Sequence, residues 1–96
     1  MTREDVLTWL GTRRPAPPPA LRAQIEQAVK NARLPLPAYL ADLGRALLGS
    51  VASRPDGGRE LALDLLAADA FITYAFEAQA ELDVGGVAHL ADGVLA

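Results

Sequence analysis

His89 and Asp92 stand three residues apart, a spacing that on a helix could offer two ligands to a metal ion. The apolar residues around them, Val87, Leu90, Val94 and Leu95, fall on the opposite side, so the pair reads as solvated. Ser50 sits in Gly49-Ser50-Val51-Ala52, without the second glycine of a nucleophile elbow. Gly57-Gly58 and Gly85-Gly86 are isolated pairs rather than phosphate-cradling loops. The chain has no cysteine, which removes disulfides, thiolate catalysis and thiolate metal sites together. Zinc-protease, di-iron, EF-hand and Walker A spacings are all missing. No catalytic residue, metal or cofactor is expected, and the protein is not expected to be an enzyme.

Asp64 is the one carboxylate in an unusual place. By helical angle it falls among Leu61, Phe71, Ala75 and Leu82, inside an apolar arc. Two readings follow. It lies in the early turns of a helix, partly exposed, where the dipole favours a negative charge. Otherwise it is a ligand contact within an apolar groove, with Phe71, Tyr74, Phe76, Trp9 and Tyr39 around it.

Charge supplies the global signal. All nine basic residues lie in residues 1–59 with five acids, a net of +4, while residues 60–96 carry seven acids and no base. Glu77, Glu81 and Asp83 approach the C-terminal end of a helix, the wrong sign for its dipole, and Glu77 repels Glu81 at i,i+4. They read either as a solvated face or as partners of a basic counterpart. That counterpart is Arg13, Arg14, Arg22 or Arg33 of the same chain, the same residues of a second copy, or a basic protein. The net charge of −3 and the lack of aromatics among the arginines argue against nucleic acid.

The element that must position most of these residues is the run 59–83, twenty-five residues without glycine or proline. Read at 100° per residue, it is apolar around half its circumference or more, wider than the roughly 100° stripe of a surface helix. It is therefore expected to be covered on several sides. At about 37 Å it is also longer than a compact chain of this size, whose radius of gyration is about 12–13 Å. Asp64, Asp69 and Glu77 inside its apolar window argue against a membrane span, and a cytoplasmic protein is expected. The eight-to-one excess of Arg over Lys suggests a GC-rich bacterial source.

Ahead of it, Thr2 can cap a short helix ending near Gly11, forming an N-terminal arm over 1–12 that presses Trp9 into the body. A proline-rich spacer covers 13–19, and an amphipathic helix is expected from Pro19 to Arg33, with Arg22, Glu26 and Lys30 paired on its outer face. A further helix over about 37–52 joins the long one through Arg54-Pro55-Asp56-Gly57-Gly58, giving an αα-hairpin of 37–52 with 59–83. Gly85-Gly86 is expected to separate a last helical stretch. With 19 Ala and 16 Leu against 6 Val and 2 Ile, strands are not expected.

The sequence thus predicts one all-α domain over 1–96, a small bundle of four to five helices around a long central apolar helix. The function expected is a non-enzymatic interaction or accessory subunit, a homodimer, with Phe71, Tyr74, Phe76, Glu77, Glu81 and Trp9 as candidate interface. The alternative is a bundle that binds a small apolar ligand, with Asp64 as its polar contact.

Overall fold

Thr2 opens the first helix through a reciprocal capping box. Its Oγ1 accepts from the Asp5 backbone N–H, and its own N–H donates to Asp5 Oδ2, both at 3.1 Å. Two amide donors that a first turn leaves bare are satisfied this way. The computed structural model has α1 over Arg3–Leu10, α2 over Pro19–Ala28, α3 over Leu36–Ala52 and α4 over Arg59–Leu95. It describes the backbone of residues 1–54 and 57–95 and the side chains of 1–54 and 57–84. The chain is all-helical, with no strand among the described residues.

Helix α2 ends five residues before the expected Arg33. Val29 turns to extended backbone, with φ −77° and ψ 130°. The carbonyls released by this early end are taken up from a distance. Arg3 donates from Nε to Val29 O and from Nη2 to Glu26 O, each at 2.9 Å, and its backbone N–H reaches Asn31 Oδ1 at 2.7 Å. Tyr39 completes the bracket: its hydroxyl accepts from Lys30 N at 2.7 Å and donates to Lys30 O at 3.0 Å. Amphipathic periodicity continues through residue 32, but tertiary donors bind the C-terminal carbonyls more favourably than another helical turn would. Arg22 still pairs with Glu26 at 3.0 Å. Lys30, now outside the helix, forms no ion pair among the described residues.

Helix α4 does not stop at Gly85-Gly86; one helix of 37 residues runs to Leu95. Each interior glycine costs about 1 kcal/mol relative to alanine, whereas proline costs about 3. The helix is already nucleated, so every further residue adds a hydrogen bond without a new nucleation cost. The glycine pair weakens the helix without ending it.

Helices α3 and α4 run antiparallel. Gly44 lies opposite Ala68 and Ile72, while Arg54, later in the chain, reaches back to Asp64. The approach at Gly44 is close: a Cβ there would fall 2.7 Å from Ile72 Cδ1 and 3.2 Å from the Ala68 carbonyl oxygen. Alanines on α4 serve the same purpose. Ala67, Ala68, Phe71, Ala75 and Ala78 are buried on one line of the helix, and with Val6, Ile25, Val29 and Leu40 they make up most of the core. Small residues let backbones approach, and the Phe71 ring fills the space that remains.

The opposite arc of α4 has no cover from its own chain. Leu65, Leu66, Phe76 and Val84 are at least half exposed there, and Leu82, on the Phe71 side, is exposed because it lies beyond the reach of α3. Coverage on several sides, expected from the width of the apolar arc, is thus not supplied within one copy. Length has the same consequence. At about 1.5 Å per residue α4 spans roughly 55 Å, and the molecule measures 59 × 24 × 23 Å with a radius of gyration of 15.6 Å. Counting from Gly44 opposite Ile72, α3 begins opposite about residue 80, and α4 continues beyond it.

Candidate functional site

Trp9 and Arg13 come from opposite sides of the end of α1 and meet on the acidic row of α4. The Arg13 guanidinium stacks over the Trp9 ring, 4.0 Å from its centroid. From there Nη1 reaches Glu77 Oε2 at 3.4 Å and Nη2 reaches Glu81 Oε1 at 3.0 Å. Thr12 Oγ1 accepts from Arg13 Nε at 3.2 Å and from Nη2 at 2.8 Å. Trp9 Nε1–H donates to Glu81 Oε2 at 3.1 Å, and the Trp9 ring meets Tyr74 edge-on at 6.4 Å. The Arg13 side chain keeps only 17% of its exposure.

Electrostatics follows from this geometry. The Trp9 indole N–H, and after it Arg13, hold the Glu81 carboxyl below its ordinary range. Burial pushes the Tyr74 phenol up, and the charge of Glu77 adds to that. The acidic row is therefore matched, at Glu77 and Glu81, by an arginine of the same chain. Asp83 instead accepts from Gln79 Nε2 at 2.9 Å, while Arg14 and Arg22 take no part.

Reversing Glu77 and Glu81 to Lys is accordingly expected to lower the urea midpoint of unfolding. The loss should shrink in 1 M salt, where the Debye length falls to about 3 Å. A neutral or stabilising outcome would mean that the row is only a solvated face, relieved of its dipole and i,i+4 conflicts.

Asp64 lies in the first turns of α4 and is partly exposed, as the first of its two readings has it, and it is also paired. Its side chain retains 13% of its exposure and accepts hydrogen bonds from Arg54 Nη2 and Gln24 Nε2. It joins α2, the end of α3 and the first turns of α4. Arg54 first, and Gln24 second, hold its carboxyl below the ordinary range. Asp5, capped by Thr2, is lowered as well.

A carboxyl whose folded pKa lies below its unfolded value binds protons more readily when unfolded. The stability it supplies is complete above the unfolded carboxylate range and is lost as pH falls through the folded value. Urea midpoints are therefore expected to fall below about pH 4, and Asp64→Asn should flatten that decline while lowering the midpoint at pH 7. An unchanged acid limb in Asp64→Asn would exclude a stabilising role for the Arg54–Asp64–Gln24 contacts.

Of the remaining positions singled out by sequence, Phe71 lies wholly within the chain's own core and offers nothing to a partner. Tyr74 is half-buried against Trp9, and Trp9 itself is only partly buried. Its truncation should therefore cost less than the 3–5 kcal/mol typical of a fully buried aromatic. Phe76 points outward, 73% exposed. Tyr39 is engaged with Lys30, so the five aromatics do not converge on one pocket with Asp64. The side chains of His89 and Asp92 lie outside the described residues. Sequence reasoning missed Arg3 and Gln24, whose roles depend on partners 23 or more residues away. It also passed over Gly44, although a glycine within a helix is itself a cue to close packing.

Among the described residues no group of three or more His, Asp or Glu side chains could hold a metal ion. No helix there is long and apolar enough to cross a membrane. Comparison with protein-family models, curated proteins and solved structures finds no match.

Proposed function

We propose that this chain is a non-enzymatic helical interaction subunit that self-associates through the open arc of α4. The observation behind this reading is the exposure of Phe76 and Val84, 73% and 70%, together with Leu65 and Leu66. Large exposed apolar surface of this kind marks association sites on proteins that are otherwise well packed.

A second copy fits this arc for two reasons. Phe76 stands one residue from the midpoint of α4, so two such helices can pair antiparallel along their whole length. In that arrangement the end of α4 beyond α3 lies along the other copy's body, and α4 becomes the central apolar helix of the assembly. Antiparallel helix dipoles favour the same orientation.

Sedimentation equilibrium at micromolar concentration is expected to give a species of twice 10.1 kDa. Phe76→Asp, which touches nothing in the core, should leave the circular dichroism spectrum intact. It should weaken the dimer roughly 30-fold or more, the scale of a central aromatic hot spot. A wild-type protein that sediments only as a monomer would overturn the proposal. Dimers that survive Phe76→Asp would move the interface elsewhere.

A further inference from the structure

The proline spacer does more than connect α1 to α2. It closes a cleft of about 380 Å³ between the end of α1, one face of α2 and Tyr74 of α4. That volume lies in the range of small-molecule sites, roughly 300–1,000 Å³. Leu7, Leu10, Ile25 and the Tyr74 ring supply apolar walls. Its rim is cationic: Arg13, Arg14 and Arg22 face it against one carboxylate, Glu26. In a chain whose net charge is −3, this is a local reversal of sign.

The three arginines are not equivalent. Arg13 is committed to Glu77, Glu81 and the Trp9 ring, which fixes it as part of the wall. Arg22 engages Glu26 through Nε at 3.0 Å, leaving its two terminal nitrogens. Arg14 meets no carboxylate among the described residues. Its Nη1 donates to the carbonyls of Gly11 at 2.9 Å and Arg13 at 2.7 Å, which orients the guanidinium and leaves Nη2 and Nε as donors. An oriented guanidinium with free donors at the mouth of an apolar cleft suits a planar oxyanion on an apolar body.

We infer that this cleft binds a small amphipathic anion, its apolar body against Leu7, Leu10, Ile25 and Tyr74 and its carboxylate at Arg14 and Arg22. The site is independent of self-association. Tyr74 and Phe76 are two positions apart on α4 and face roughly 200° from one another, so the cleft and the open arc are on different sides of the helix.

The test is a ¹H–¹⁵N NMR titration of the full chain with octanoate, beside octanol as the uncharged control and a short acidic peptide as the protein-like competitor. Saturable shifts of the amides of residues 7–14 and 22–26 are expected with octanoate. Arg14→Gln combined with Arg22→Gln, both at exposed positions, should weaken octanoate at least about fivefold and leave octanol unchanged, with the difference vanishing at high salt. Absence of saturable shifts, equal binding of octanol and octanoate, or shifts confined to residues 65–84 of the open arc would each overturn the inference. Binding of the acidic peptide without octanoate would replace the small anion with a protein partner. Repeating the titration on Phe76→Asp separates the two proposals, because losing the dimer should leave the cleft signals in place.

Discussion

Phe71→Ala is expected to destabilise the protein by about 3–5 kcal/mol, the range for removing a fully buried aromatic ring. Phe71 has no exposed surface and lies on the buried line of α4 with Ala67, Ala75 and Ala78. Those neighbours are too small to close over the space a lost ring leaves, so the cavity term adds to the lost burial. A domain of this size has about 5–15 kcal/mol in total, so the change removes a large share of it. Urea unfolding followed by far-ultraviolet circular dichroism measures the loss. A change below about 1 kcal/mol would show that the ring is not in the core. The contrast with Phe76 is the informative part. Five positions further along the same helix, Phe76→Asp should alter association and spare stability, because its ring meets solvent rather than α1, α2 or α3.

Gly44→Val should destabilise by about 1–3 kcal/mol, the usual scale of overpacking. The first added carbon already falls 2.8 Å from Ile72 Cγ1 and 3.2 Å from the Ala68 carbonyl oxygen. Ile72 can turn away at its tip, but the backbone oxygen cannot, so α3 must move off α4. Valine also gains part of the helix propensity that glycine lacks, which offsets a few tenths of a kcal/mol. Coupling to Ile72 separates the clash from propensity. In an Ile72→Ala background the cost of Gly44→Val should fall, whereas additive effects would place the strain elsewhere.

Much of the helical architecture was legible in local residue chemistry. Thr2 with Asp5 announces the start of α1, Pro19 and Pro37 stand in the first turns of α2 and α3, and residues 59–83 carry no breaker. Each of these signals acts within four residues of itself, so it survives whatever the rest of the chain does. The same locality explains the failures. Apolar spacing alone carries α2 through to Arg33, while its end is decided by Arg3 and Tyr39 arriving from outside. The Gly85-Gly86 pair has the local look of a boundary, although its modest cost does not outweigh propagation of a long helix.

The candidate site was less legible still. That Glu77 and Glu81 are unfavourably placed without a cation follows from their own spacing and position on the helix. Which cation, among Arg13, Arg14, Arg22, Arg33 and another molecule, depends on where a proline spacer delivers the end of α1, and that path has no local signature. Asp64 is the same case in reverse. Its angle within the apolar arc marks it as unusual, yet Gln24 and Arg54 reach it only once α2 and the end of α3 have packed on α4. Periodicity assigned Phe71 and Phe76 alike to an apolar helix. Tertiary packing put one in the core and left the other in solvent, because the few helices of a 96-residue chain can cover only part of a 37-residue helix.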